Sequence, residues 1–374
     1  VTETSAGALK AAVARSEELA ALAPVTPEHA APLGPQEFPD IASFHETTAN
    51  ARGAEMIPQI RAVIAAAVKE KLQAAGFFTR SATAQAIANK AGLFGFSRSA
   101  DARLSTTIRR PDGSSSGWAS QPSVEIAEIR GEELAQRAIA KCQAWTKPRR
   151  LEPGRYTAVL DAVATSDLLM GVYGAFDARA AEEGRGFFAR KGGGAELGAK
   201  LFPEFITLRS HGAHAALPGA AWSGEWLPQR PFVWIDRGVV RNLRYDRYWA
   251  SRAKREPTPD LQNLELEGGD ATLDDLIRSV DRGLLVTHFW YIRTVNPQTR
   301  QMTGLTRDGL FLIENGKIAA PVMNFRFNES PFRMLKNARR LGRAERVQGL
   351  EAPSMIAPPV VADDFPFTSV SDAV

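Results

Sequence analysis

Three of the five histidines stand where they could bind a metal: His211 and His214 form an H-x-x-H pair, and His288 follows further on. Catalytic zinc needs about three protein donors, an open position for water and a nearby base. Two histidines beside Pro218 and Gly219, with no H-E-x-x-H frame around them, supply neither the third donor nor the base, so the pair reads as part of a loop. His29 and His45 lie in and just beyond a proline-rich stretch and read as exposed. A nucleophilic thiol would need a base beside it. Cys142, the single cysteine, instead shares a helical spacing with Leu134, Ala138 and Trp145 and reads as a small buried hydrophobe. Lys191-Gly192-Gly193-Gly194 lacks the Gly-Lys-Ser/Thr ending that would put a lysine and a hydroxyl on phosphate, and reads as a surface loop. Glu182, Glu183 and Glu196, near the same glycines, read as solvated charges, and no serine-hydrolase elbow is expected.

These residues must be held by elements that the periodicity outlines. Residues 5–23 have Leu9, Val13, Ser16 and Ala20 on one helical face, with Ser5 as a cap and Pro24 as a stop. Pro24, Pro27, Pro32, Pro35 and Pro39 mark an extended connector. A second helix is expected over Thr48–Ala75, with Pro58 near its start and Gly76 at its end. Short antiparallel strands are expected at 77–78, 85–88, 93–96 and 104–108, turning at Asn89–Gly92 and Pro111–Gly113, and then a helix over Glu132–Trp145. A strand at Tyr156–Asp161 precedes a helical segment, Ser166–Glu183. Asp236-Arg237-Gly238 and Asn315-Gly316 each join two strands, and Thr272 caps a short helix running to Val280. The fold class this implies is α+β: an N-terminal helix-on-antiparallel-sheet domain over 1–150, and a mainly β C-terminal domain with embedded helices over 151–374.

With 44% hydrophobic residues the chain can bury real cores, yet no apolar run reaches the roughly 18 residues that a membrane-spanning helix needs. No signal-peptide pattern is read, and one cysteine permits no internal disulfide, so the expected location is cytoplasmic. The net charge of +4 allows an anionic partner without demanding one. The densest basic run, Arg333–Arg346, interleaves with Met334, Leu335, Leu341 and Val347 as an amphipathic helix would, and no nucleic-acid reader motif accompanies it.

Three segments carry a family resemblance. They are Glu267-Gly268-Gly269-Asp270-Ala271-Thr272 through Ile277; Gly283 through Thr287-His288-Phe289-Trp290 to Arg293 and on to Thr299; and Thr303-Gly304-Leu305-Thr306-Arg307-Asp308-Gly309 through Asn315-Gly316 to Asn324-Phe325-Arg326-Phe327-Asn328-Glu329-Ser330. In order and spacing they resemble the C-terminal block of the TldD/PmbA ("modulator of DNA gyrase") metallopeptidases. Weaker similarity reaches back through Trp234–Gly238 to Ser105-Thr106-Thr107 and Gly117–Ser120. Family members carry a further stretch before the first helix, so the start, Val1, is expected to be trimmed.

The resemblance implies two kinds of subunit. In the TldD type a helix bears His-Glu-x-x-x-His, and a late cysteine completes a zinc site. Here Met170, Gly171 and Ala175 stand at the matching positions, and no cysteine follows Cys142. A thioether, a hydrogen and a methyl group cannot hold Zn²⁺ or take a proton from water. The chain therefore resembles the PmbA/TldE type: no catalytic residue and no metal of its own, zinc in the partner, and a heterodimer with a TldD-type subunit that processes or degrades unfolded peptides. The candidate substrate or partner contacts are Trp290, Arg293, Asn324, Arg326, Asn328 and Glu329, with Phe325 and Phe327 between them. The alternative is a non-proteolytic homodimer with a binding or regulatory role. Action on DNA or gyrase, suggested by the family's older name, is disfavoured by the modest charge.

Overall fold

The computed structural model describes residues 2–372. It divides into two compact units, one ending at Pro32 and the other beginning at Leu33. The first holds α1 (Ala6–Leu22), capped by the Ser5 hydroxyl, which accepts from the Ala8 N–H; none of its residues is buried. The proline-rich connector that follows is largely without regular structure.

The second unit opens with α2 (Glu46–Asn50), α3 (Gly53–Lys69) and β1 (Gln73–Ala88). The helix expected to reach Ala75 stops earlier because Lys71 takes a left-handed φ of 58°. Gly76, expected to end that helix, lies in β1, where a Cβ would strike the Ser105 carbonyl. β1 pairs residue for residue with β2 (Phe94–Arg109) across the Asn89–Gly92 turn, so the expected short strands merge into one long hairpin. β3 (Ser116–Ser123) completes this sheet, and α4 (Gly131–Ala144) packs with α3 over one face. Val63, Ala67, Leu104, Ile108, Leu134, Ala138 and Cys142 form that layer's core. Gly117 is required there, since a side chain would meet the Ala138 carbonyl and the Cys142 N–H of α4.

The chain then forms β4 (Gly154–Leu160), α5 (Ala162–Leu169), a 3-10 turn at Met170–Val172 and α6 (Ala178–Glu182). The single helix expected over Ser166–Glu183 is thus broken, with Gly174 at φ 76° in the break. Next come β5 (Leu208–Ser210), β6 (Phe232–Asp236), β7 (Val239–Val240), α7 (Arg247–Ala253), β8 (Leu264–Leu266) and α8 (Leu273–Arg278). Thr272 and Asp275 make a reciprocal capping box at α8. β9 (Arg282–Val286), β10 (Phe289–Asn296), β11 (Gln301–Thr306), β12 (Leu310–Glu314), β13 (Lys317–Pro321) and β14 (Phe325–Glu329) follow, then α9 (Pro331–Lys336). β15 (Ala338–Leu341), β16 (Glu345–Val347), β17 (Met355–Ala357) and β18 (Val360–Val370) close the chain. The basic run expected as one helix is therefore α9, β15 and β16. Gly342 breaks it, and pairing of β15 with β18 displaces helical hydrogen bonds.

Nine strands form the central sheet in the order β10-β11-β14-β18-β4-β9-β12-β13, with β15 also on β18; β4 and β9 run parallel. A six-stranded sheet, β16-β17-β8-β5-β6-β7, shares its core, which is rich in aromatics including Phe176, Phe188, Trp234, Phe289, Phe325, Phe327, Phe332 and Phe365. Asn315 and Gly316, at φ 51° and 72°, make the expected tight turn between β12 and β13, and Arg237 and Gly238, at 46° and 79°, do so between β6 and β7. The α+β class and the mainly β C-terminal region are as the sequence implied. The boundary expected near residue 150 falls inside the second unit, where the chain passes from the three-stranded layer into β4.

Candidate functional site

The positions that would carry a zinc motif are filled by packing. Met170 and Gly171 lie in the 3-10 turn that ends α5, and Ala175 is buried beyond it. They therefore do not share the continuous helix expected from the sequence. A Cβ on Gly171 would run into Met302 Sδ and come within 3.2 Å of Pro331 Cγ, so a glutamate there must displace the end of the Met302 side chain. The Arg300 guanidinium closes the turn by donating to the carbonyls of Gly171 and Tyr173. Among the described residues, no three His, Cys, Asp or Glu side chains are grouped as a metal site requires. The residues at these positions do not fit zinc.

Both residues that crowd Gly171 adjoin β14. Met302 of β11 faces Glu329 in register, and Pro331 is two residues past it. The degenerate motif and one group of candidate contacts are thus neighbours. Alternation along β14 divides that group: Phe325, Phe327 and Glu329 turn inward, while Arg326 is exposed and Asn328 half-buried. Asn324 is a structural residue. It is 1% exposed, and its side-chain oxygen accepts from the Thr306 hydroxyl, which in turn accepts from the Phe325 N–H.

Glu329 is not satisfied in this way. Its side chain is buried, Oε1 accepts from the Ser330 N–H at 2.7 Å, and Oε2 has no partner; the Ser330 hydroxyl also has none. Burial pushes the carboxyl up to about 7, against the weaker pull of that N–H, Arg333 and Arg155. Both groups line a cavity of about 480 Å³ that includes Phe187, Phe202 and Phe332, with Arg333 and Lys336 from α9. Phe187 and Phe332 stack at 4.2 Å.

Trp290 and Arg293 lie elsewhere, on β10 at the edge of the central sheet. The Arg307 guanidinium covers the Trp290 ring at 4.3 Å; Arg293 covers Tyr291 at 4.2 Å and pairs with Glu351 at 3.1 Å. Beside them a second buried cluster joins the three-stranded layer to the central sheet. His288, 1% exposed, stacks on Trp118 of β3 at 4.5 Å, and its Nδ1 is 3.5 Å from Asp308 Oδ2 without a hydrogen bond. Asp308 accepts from the Ser116 hydroxyl at 2.5 Å. Burial raises the Asp308 carboxyl, but the His288 ring, the Ser116 hydroxyl and Arg307 outweigh it and hold it below its ordinary value.

The remaining sequence candidates are structural. His211 and His214 lie in a loop with their rings 5.8 Å apart, and His288 is not with them. Glu182 is not a solvated charge: it accepts from the Tyr245 hydroxyl at 2.6 Å and the Trp249 indole at 2.7 Å. Glu183 pairs with Arg179 and Arg185, and Glu196 lies near Arg190. Cys142 is buried in α4. Gly113-Ser114-Ser115-Ser116-Gly117 has the Gly-x-Ser-x-Gly spacing after all, but it connects two strands, and its central Ser115 donates to the Cys142 carbonyl, so it is no strand-to-helix elbow. Sequence reasoning missed Phe187, Phe202, Ser330 and the Ser116–Asp308 link, because each depends on segments far apart in the chain.

The model of the PmbA/TldA metallopeptidase C-terminal domain matches residues 153–369, more than half of the chain. The protein belongs to the TldD/PmbA family. Three solved structures share its fold. TldE from Thermococcus kodakarensis superposes with a TM-score of 0.85 at 18% identity, covering 98% of this chain and 86% of that one. A candidate modulator of a DNA gyrase from Thermotoga maritima gives 0.83 at 17% identity, over 94% and 82% of the two chains. Another, from Bacteroides thetaiotaomicron, gives 0.81 at 21%, over 98% and 84%. No curated protein matches the chain. No helix among the described residues is long and apolar enough to cross a membrane.

Proposed function

We propose that this TldD/PmbA-family chain is the TldE/PmbA-type subunit of a heterodimeric protease: it brings no metal of its own and pairs with a zinc-bearing TldD-type relative to process or degrade unfolded peptides. The observation that carries this reading is Gly171. The place where a metallopeptidase needs its general base is occupied by Met302 and Pro331, while Met170 and Ala175 provide no zinc donor. The chain's part is then binding. β10 offers an outer edge with no neighbour among the described strands, and a peptide adding to such an edge is held by its main chain, which suits varied sequences.

The test is purification of the chain alone and together with a TldD-type relative, followed by metal analysis and cleavage of an unstructured peptide. The lone chain is expected to be free of stoichiometric zinc and inactive, and the pair to hold zinc and cut. Stoichiometric zinc with equal peptidase activity in the lone chain would overturn the division of labour. A stable homodimer that never pairs with the relative would favour the non-proteolytic alternative.

A further inference from the structure

We infer that the cavity between β14 and α9 is a binding site for an apolar residue that ends in a free carboxylate, the C-terminal residue of a peptide. The cavity, about 480 Å³, falls within the roughly 300–1,000 Å³ of small-molecule sites. Its chemistry is divided. Phe187, Phe202 and Phe332 bring aromatic surface suited to a large side chain. The charged groups come from one short stretch of chain, Glu329 to Lys336, and Thr299, Gln301 and Asn328 add neutral polar groups.

Within that stretch, two buried polar atoms lack partners, Glu329 Oε2 and Ser330 Oγ. Leaving such atoms unpaired is unfavourable, and a rotation of the Glu329 and Ser330 side chains toward the cavity would let a ligand offering matched hydrogen bonds satisfy them. The sign of the ligand follows from the surrounding charge. Arg333 Nε is 3.7 Å from Glu329 Oε1, and Lys336 is exposed one turn further along α9. The charged groups that bear on Glu329 are Arg333 from α9, Arg155 from β4 and Asp364 from β18. Arg155 and Arg333 both pair with Asp364, at 2.7 and 3.1 Å, but besides Glu329 the charged residues that line the cavity are Arg333 and Lys336, both cations, so an ammonium group is repelled and a carboxylate attracted. Below about pH 7 Glu329 carries its proton and can donate it in a hydrogen bond, as Ser330 can, to the ligand's carboxylate oxygens.

That the natural occupant is a peptide rests on the reading of the chain as part of a peptide-processing pair. The chemistry of the cavity does not. The experiment therefore uses the lone full chain: calorimetric titration with N-acetylphenylalanine, its carboxamide and phenethylamine, at pH 6 and pH 8. The acid is expected to bind at pH 6 about tenfold more tightly than the amide and to weaken by pH 8, as Glu329 loses its proton. Glu329→Gln, which keeps a neutral donor, should hold the affinity level between the two pH values. Lys336→Glu should weaken the acid about fivefold and leave the amide unchanged. Equal binding of acid and amide, tighter binding of the amine, or no binding of the acid at millimolar concentration would each overturn the assignment. Since no partner is present, failure here leaves the subunit reading standing, and failure to pair with a zinc-bearing relative leaves this titration standing.

Discussion

Two buried acids, one in the β11–β12 connection and one at the end of β14, meet opposite fates. Asp308 lies where the central sheet meets the three-stranded layer, and there Ser116, His288 and Arg307 surround it and hold its carboxyl below the ordinary range. Glu329 ends β14 beside a cavity, has a single backbone N–H as hydrogen-bond partner, and is pushed up to about 7. Burial is similar; the number of partners differs. At the seam between layers the Asp308 carboxyl is closed by groups of the same chain, because both sides fold together, although the two ring nitrogens of His288 stay unpaired there. A pocket leaves some polar groups to whatever enters it.

The harshest disturbance of the open end is Gly171→Glu. The new side chain must push the end of Met302 aside next to Pro331 and would bring an unpaired charge into the core, so urea unfolding should show a loss of about 3 kcal/mol. Unchanged stability would show that the turn is not packed as described. Next comes the titration of Glu329. Unfolded, the carboxyl ionises near 4.5, and folded near 7, so the folded state holds the extra proton between these values. Stability therefore falls as pH rises through that window, and Glu329→Gln should remove the fall. The variant should match the native chain at pH 4.5 and exceed it by up to about 3 kcal/mol at pH 8. Asp167, whose carboxyl burial also pushes up to about 7, adds a fall of the same sign that the variant leaves in place, so the difference between the two chains is the measurement.

At the closed end the sign reverses. Asp308 stabilises the fold above its unfolded pKa and loses that contribution only in acid, as pH drops through its lowered folded value. Ser116→Ala removes one partner and should cost about 2 kcal/mol near neutral pH, measured by thermal or urea unfolding. The smallest effect belongs to Arg326→Ala on the outer face of β14, within about 0.5 kcal/mol of the native chain. A large loss there would mean that the strand's two faces have been assigned the wrong way round.

Much of this scaffold can be read locally. Asn315-Gly316, Asp236-Arg237-Gly238 and the Thr272 cap each declare themselves within a few residues, because left-handed turns and helix starts have narrow chemical requirements. The β1–β2 hairpin does not. Its run of Ala, Gly, Ser and Thr has no clear hydrophobic period, so its first residues resemble the end of α3 and the rest break into fragments. Arg333–Arg346 misleads for the opposite reason. Its spacing suits a helix, but pairing with β18 decides its structure. Of the candidate contacts, Glu329 meets a cavity, while Asn324 proves to be a buried brace; only the long-range partners of each distinguish them.

β1 has a consequence for handling the molecule. Sixteen residues of one strand form the rim of a sheet, with Arg80 as the sole charge along them. At about 3.3 Å per residue that is a rail of roughly 50 Å, with every second amide turned toward solvent. Such a rail templates a second strand, and in concentrated solution the nearest supply is another copy of itself. Ala82→Lys, at an exposed position near the middle of this border, would guard against such fibre-like stacking.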